Sequence, residues 1–477
     1  QKLVVVMELT PPTFNHTRGR HGSVALGPLE RMRHLYNILF AFFFYLTAPF
    51  YFLKMWRRGG WRDGFRQRFG VFGSNVKQAL TNRHVVWLHA VSVGEANICT
   101  QLIGALEPRI PNAKIVVSTT TTTGMEQLRR RLPRHIETIY YPIDRPRWVD
   151  RAIRVISPEV IILVEAEIWP NFLWRASEKN IPLFLVNARM SERSHARYKR
   201  FSFLFRPIFA AFTGVGVQNE RDAERMRELG CSKEGIHVVG NLKFDAARLH
   251  ERPVIDVEDL LKQLGVKPGA PILLGGSTHA GEEALLADAF LRLRKRFPDL
   301  FLVLVPRHFE RGREVGSELE SRKIPFVYRT EIGANTRHKQ GALNCLVVNT
   351  TGELRYFYGA ASVIFVGKSL TAPGGQNPIE PGAQGKPMVF GPNMQNFESI
   401  ARAFVTQKGA IQVPDAGAME KAFEKLLSDP VLCAELGGNA LQVVQENQGS
   451  IDRTANMILA ALHEEEIYVA PAVSPCA

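Results

Sequence analysis

No stretch of this 477-residue chain spaces cysteine and histidine for a metal, and its five cysteines, Cys99, Cys231, Cys345, Cys433 and Cys476, lack disulfide spacing. A disulfide-stapled scaffold is excluded, and a reducing compartment fits. Neither half opens with GxGxxG after its first strand, which removes the dinucleotide-dependent dehydrogenases. No aspartate-rich motif follows a strand where a divalent ion would bridge a nucleotide phosphate, so the sequence asks for no metal and no cofactor. No short repeat stands out. Acid is scarce relative to base: 46 Asp and Glu stand against 60 Lys and Arg, a net charge of +14. Such a surface favours an anionic partner. Without a zinc knuckle, an RNA-binding aromatic signature or a helix-turn-helix pattern, that partner is not a nucleic acid.

What the chain does have begins with an apolar run. Residues 1–31 carry Pro11, Pro12 and polar residues without periodicity, and read as a disordered extension, with Met32 a candidate natural start. From Leu35 to Leu53 the run LYNILFAFFFYLTAPFYFL has no charge. As a helix it would be roughly 28 Å long, enough to cross a hydrocarbon core. Pro49 and the aromatic content also suit a helix lying in the membrane interface. MWRRGGW follows where a signal peptide would need small residues for cleavage. Lys54, Arg57, Arg58, Arg62, Arg66 and Arg68 against Asp63 form a basic collar. By the positive-inside rule the remainder is cytoplasmic and the collar meets anionic head groups. Residues 32–75 are thus read as anchor and collar.

Beyond the collar, short apolar runs alternate with amphipathic segments: VVWLH, KIVVSTT, VIILVEAE, PLFLVNA and GVGVQN, then PILLGGST, LFLVLVP, NCLVVNT, SVIFVGKS and PMVFGP. Continuous apolar strands of this kind, each followed by a helix, indicate parallel sheets covered on both faces. The expectation is α/β, two doubly wound domains, divided near residues 237–247 into 76–245 and 246–477.

Ligands bind such folds at the carboxyl ends of strands. In HAVSVGE the pattern sets a turn at Ser92–Gly94 and a helix from Glu95 to Leu106, so Glu95 stands at a strand-to-helix corner. It could take a proton from a hydroxyl, or simply partner the helix dipole. Gly275, Gly276, Ser277 and Thr278 lead into a helix that could hold a phosphate. Arg307 and His308, after Pro306, follow the next strand, where an arginine can bind phosphate through two parallel hydrogen bonds. Gly352, Glu353, Leu354, Ser369, the Gly374-Gly375 loop, Asn377 and Glu380 follow. A carboxylate opening a helix beside that loop suits two ribose hydroxyls. Arg189, Arg193, Arg197 and Arg200 recur at spacings of four, four and three, as on one helical face. They form either a solvated face or a contact for phosphorylated lipid.

Taken in order, HAVSVGE (89–95), STTTTTG (118–124), YYPID (140–144), EAEIWPN (165–171), NARMSERS (187–194), GNLKFD (240–245), GGSTH (275–279), PRH (306–308), TGEL (351–354), VGKSL (366–370) and GGQNPIEP (374–381) resemble the bacterial transferases of 3-deoxy-D-manno-octulosonic acid (Kdo). The resemblance covers about 32–462. It implies a GT-B fold, two Rossmann-like domains facing a cleft, behind an N-terminal membrane anchor. It also implies transfer of Kdo from CMP-Kdo to the lipid A precursor at the cytoplasmic face of the bacterial inner membrane, with the acceptor on the N-terminal domain and the donor on the C-terminal one. One departure is NTTGEL, where many members have an aspartate; Asn349 and Thr351 would alter contacts beside the nucleotide.

Carried across position by position, Glu95 matches the general base and Arg307 and Glu380 the nucleotide contacts. Ser277, Thr278, Gly352, Glu353 and Asn377 would line the same site, with Pro306, His308, Leu354 and Ser369 beside them. Glu165 and Glu167, with Arg189 and Arg193, are candidates for the acceptor or the transition state; strand alternation would point the two glutamates the same way. The implied chemistry is direct displacement with inversion. Two other readings stay open: another GT-B nucleotide-sugar transferase or epimerase, and a membrane-anchored nucleotide-sugar binding protein.

Overall fold

The computed structural model describes residues 28–57, 62–165, 168–247, 255–333, 335–462 and 467–469. Residues 1–63 and 64–477 are separate compact units. In the first, one helix runs from Pro28 to Arg57, beginning inside the stretch expected to be disordered. The rest of that stretch, 1–27, lies outside the described residues. The helix is long and apolar enough to cross a membrane, by length and composition. Pro49 is inside it, and Thr47 Oγ1 donates to the Phe43 carbonyl at 2.7 Å.

Two all-parallel sheets build the second unit. The first comprises β1 (His84–His89), β2 (Ala113–Thr119), β3 (Glu137–Tyr140), β4 (Val160–Val164), β5 (Leu183–Ala188), β6 (Gly214–Val217) and β7 (Ile236–Val238). Its spatial order is β3-β2-β1-β4-β5-β6-β7. The second comprises β8 (Ile272–Thr278), β9 (Phe301–Pro306), β10 (Phe326–Tyr328), β11 (Cys345–Val347), β12 (Val363–Val366), β13 (Met388–Phe390) and β14 (Ile411–Gln412), in the order β10-β11-β9-β8-β12-β13-β14. All ten apolar runs read from the sequence are interior strands. The four strands it did not mark, β3, β7, β10 and β14, are the sheet edges.

In both sheets the order reverses beside the first strand, between β1 and β4 and between β8 and β12. Helices leave opposite faces there and a crevice opens at the carboxyl ends. Gly276 pairs with Val366, and Gly367 N–H donates to the Gly276 carbonyl at 2.9 Å. A Cβ on Gly367 would lie 2.3 Å from the Ser277 carbonyl oxygen, so only glycine lets the two strand ends approach this closely.

Chain order does not divide the two halves cleanly. The helix Ser450–Leu462 returns to the first sheet, and Ile451, Ala455, Ile458, Leu459 and Leu462 share one core with Val86, Leu88, Ile162 and Val186. Each large apolar side chain so buried contributes about 1.5–3 kcal/mol before ordering costs. Asp245, buried, accepts from Gly449 N–H and Ile451 N–H at 2.7 Å each and so caps that helix. The turn Leu242–Ala247 between the halves sends Leu242 into the first core and Phe244 into the second.

Candidate active site

At the first switch point the helix starts two residues earlier than the sequence reading placed it, at Val93. Ser92 is its cap: Oγ accepts from Glu95 N–H at 3.2 Å. Glu95 is only 8% exposed, and its Oε2 accepts from Val91 N–H at 2.8 Å, a reciprocal arrangement close to a capping box. The structural role of Glu95 is therefore real, and it coexists with a position at the carboxyl end of β1. The threonine motif braces the same loop, since Thr119 and Thr121 hydroxyls donate to the Val91 carbonyl at 3.3 and 3.0 Å.

His89, at the end of β1, is fully buried and stacks on Tyr141 with centroids 3.9 Å apart. Its Nδ1 lies 2.9 Å from Ser118 Oγ and 3.1 Å from the Ser118 carbonyl, while Nε2 is buried with no hydrogen-bond partner among the described residues. Burial pushes the imidazole down to about 3 from 6.5, against the smaller opposing pull of the Ser118 carbonyl.

Across the switch point, β4 ends at Val164 and Glu165 turns into left-handed backbone, φ 66°. Strand alternation therefore stops before Glu165 and does not set its direction; Glu167, the other member of the expected pair, lies outside the described residues. Glu165 Oε1 is 3.1 Å from Lys243 Nζ and accepts from the Asn187 amide at 3.3 Å. Asn187, buried and also left-handed at φ 54°, takes further donors from Gln218 Nε2 and Leu242 N–H. Strained conformations held this way accumulate where geometry matters to function. Arg193, Arg197 and Arg200 lie on the exposed helix Glu192–Arg200, but Arg189 precedes it in the loop after β5, so the four do not share one helical face.

The second switch point is organised by a residue absent from the sequence-derived set. Glu282 is fully buried, and its carboxylate accepts four backbone N–H groups: His279 at 2.9 Å and Lys368 at 2.7 Å on Oε2, Ser369 at 2.8 Å and Leu370 at 3.0 Å on Oε1. It ties the loop after β8 to the loop after β12. Ser277, next to last in β8, and Lys368, on the loop after β12, are both left-handed at φ 54°. Thr278 is fully buried and its hydroxyl has no hydrogen-bond partner among the described residues.

Pro306 ends β9, and Arg307 follows, exposed, its N–H on the Thr278 carbonyl at 3.0 Å. His308 stands edge-on to His279, centroids 5.9 Å apart. Glu380, in the helix Ile379–Ala383, accepts from the Asn377 amide at 3.3 Å. Burial raises its carboxyl above the ordinary value; the Asn377 hydrogen bond, then Arg355 and Arg307, pull it back in part. Both arginines are therefore close to Glu380.

Two residues expected to line the donor site, Ser369 and Glu353, and the family departure Asn349 have partners inside the fold. The Ser369 hydroxyl donates to the Val366 carbonyl at 2.6 Å and accepts from Gly391 N–H at 2.9 Å. Glu353 pairs with Arg329 at 2.9 Å. Asn349, the family departure, exchanges hydrogen bonds with the backbone N–H and hydroxyl of Thr330 at 3.2 and 2.9 Å. Gly352 turns at φ 84° just before Leu354, which is half-buried at the start of a short helix. Among the described residues no three His, Cys, Asp or Glu side chains gather as a metal site. The turn Leu242–Ala247 contacts both the Glu95 helix and the Glu380 helix, joining the two sets of residues.

The sequence placed Glu95, Thr278, Arg307 and Glu380 on these strand ends, and missed Glu282, Lys368, Lys243, Asn187 and His89. Four of the missed residues lie within the quoted motifs, and Glu282 follows GGSTH by three.

A family model described as 3-deoxy-D-manno-octulosonic-acid transferase (kdotransferase) matches residues 63–246. The 3-deoxy-D-manno-octulosonic acid transferase of Haemophilus influenzae is 31% identical over 401 residues, 83% of this chain and 91% of that protein. The one from Bordetella pertussis is 30% identical over 424 residues, 86% of this chain and 96% of that protein. Among solved structures, the UDP-GlcNAc 2-epimerase of Neisseria meningitidis, bound to UDP-GlcNAc, covers 80% of this chain and 100% of its own at a TM-score of 0.54 and 14% identity, a likeness of GT-B fold. The chain belongs to the 3-deoxy-D-manno-octulosonic acid transferases and is a glycosyltransferase.

Proposed function

We propose that this enzyme transfers Kdo from CMP-Kdo to the lipid A precursor, with inversion and without a metal. The observation that carries the reading is the pairing of two switch points in one fold. One has a buried carboxylate at a helix start; the other has arginine, lysine and histidine around a helix that carries a raised carboxyl.

In this mechanism a hydroxyl oxygen of the acceptor attacks the anomeric carbon of Kdo as the bond to the CMP phosphate breaks. The electron pair of that bond leaves with CMP. Glu95 takes the hydroxyl proton, a role its position at the end of β1 suits once acceptor is bound. Arg307 balances the charge gathering on the phosphate, and Glu380 accepts from ribose hydroxyls. Glu165, held by Lys243 and Asn187, orients the acceptor. The exposed Arg193, Arg197 and Arg200 suit its phosphates, with Arg189 beside them.

The helix Pro28–Arg57 is read as the anchor at the bacterial inner membrane, with the larger unit cytoplasmic. Arg68 leaves the expected collar: its guanidinium donates to the Thr120 carbonyl at 2.8 Å and lies 4.2 Å from the Tyr140 ring centre. Incubation with labelled CMP-Kdo and lipid A precursor tests the function, and mass spectrometry of the product counts the Kdo added. Binding of CMP-Kdo without transfer would leave only a nucleotide-sugar binding protein. Donor loss without product would point to another use of the sugar nucleotide. A rate unchanged by chelators supports the metal-free route, and a strict need for added magnesium overturns it.

A further inference from the structure

We propose that Lys368 is an anion-binding residue of the donor site, meeting an anionic oxygen of the sugar nucleotide from a backbone posture that Glu282 enforces. The inference rests on the donor reading of the second half given above. Lys368 follows β12 by two residues, beside the end of β8, at the point where the second sheet reverses order. Its backbone is left-handed, φ 54°, a region that disfavours a side chain with a Cβ. Such a conformation persists only where neighbours over-determine it. Here Glu282 does so, taking the Lys368 N–H at 2.7 Å and the next two N–H groups on its other oxygen.

The side chain that this posture presents is half-buried, and its ammonium makes no ion pair or hydrogen bond among the described residues. A lysine held in one backbone posture with no anion beside it among the described residues is open to an anionic ligand. The neighbouring carboxylates do not supply that anion. Glu282 is committed to four backbone donors, and Glu380 accepts from Asn377. Room beside the ammonium comes from Gly374, φ 126°, where a Cβ would lie 3.4 Å from Nζ. The imidazole of His279 is close enough to feel the lysine charge. On the adjoining strand end the Thr278 hydroxyl is buried without a partner among the described residues. The lysine thus leaves the end of β12 beside Gly374 and Asn396, on the strand next to the one that carries Thr278.

The donor carries two anionic groups, a phosphate and the sugar carboxylate, and the experiment separates them. Full-length Lys368→Gly and Lys368→Gln proteins in detergent are titrated with CMP and with cytidine, and the KM for CMP-Kdo is measured. Contact with phosphate lowers CMP affinity by roughly 10- to 100-fold, the worth of a charge-assisted hydrogen bond, and leaves cytidine binding unchanged. Contact with the carboxylate leaves CMP affinity intact and raises the KM for CMP-Kdo by a similar factor. In either case the melting temperature of Lys368→Gly stays at or above that of the parent, because glycine accepts the left-handed backbone. A lysine of structural importance alone would instead lower melting and spare the ligand. Parent-like CMP affinity and KM in both variants overturn the assignment. Failure of the parent itself to bind CMP overturns the donor reading beneath it.

Discussion

At the first switch point the carboxylates meet side chains and a strand-to-helix turn, whereas at the second the most buried carboxylate, Glu282, gives all its accepting capacity to backbone N–H groups. Around Glu282 the charged side chains are cationic, Arg307 and Lys368, with the imidazoles of His279 and His308 beside them. In the proposed mechanism the same architectural position serves proton removal in one half and charge neutralisation in the other. A carboxylate's role depends on which donors surround it, and burial alone does not distinguish the two.

The largest expected break comes from Glu95→Gln. If the carboxylate is the base, the transfer rate falls by roughly 10²- to 10⁴-fold with CMP affinity unchanged. If it only caps the helix, stability drops by about 0.3–1 kcal/mol and turnover survives. Glu282→Gln tests the other carboxylate. A glutamine nitrogen cannot accept, and each buried N–H left unpaired costs about 1–3 kcal/mol, read as a fall in denaturation midpoint. Glu165→Gln, by contrast, should change stability by no more than about 1 kcal/mol, because its partner Lys243 is partly exposed.

Arg307→Ala and Glu380→Ala sharpen the donor side, each weakening CMP binding by about 1.5–3 kcal/mol in calorimetry. Unchanged affinity in both would remove the second half as the donor site.

The last contrast is one of pH and concerns His89. Its folded value, about 3, lies below the unfolded 6.5, so the unfolded chain binds more protons between them. Stability is therefore full above 6.5 and declines as pH falls through that window, by about 1.4 kcal/mol per pH unit once well inside it. His89→Gln should flatten this acid limb in denaturant titrations between pH 7 and 5, with little change in slope above it.

Ten strands were legible because interior parallel strands are covered on both faces and read as unbroken apolar runs. The four missed strands are edges, with one side unpaired, and HisVal-type mixtures such as Ile236–Val238 carry no such run. Glu95 was legible as a corner carboxylate, but its cap was not, since Ser92 read as part of a turn. Glu282 was hidden for a different reason. Acidic residues open many helices, and nothing local reveals that three of its four partners lie at positions 368–370, brought near by the parallel pairing of β8 and β12. Arg189 and Glu165 were misplaced because periodicity was extended past the ends of their elements.

The return of the last helix to the first sheet sets an order of events during synthesis. The strands of the first half leave the ribosome early, yet the face covered by Ile451, Ile458 and Leu462 stays bare until those residues emerge. With about 200 residues still to be made at roughly 5–20 per second, that wait is about 10–40 s. The half that is made first is finished last. Until then it exposes an apolar surface that chaperones must shield, and a chain truncated before residue 450 never closes it.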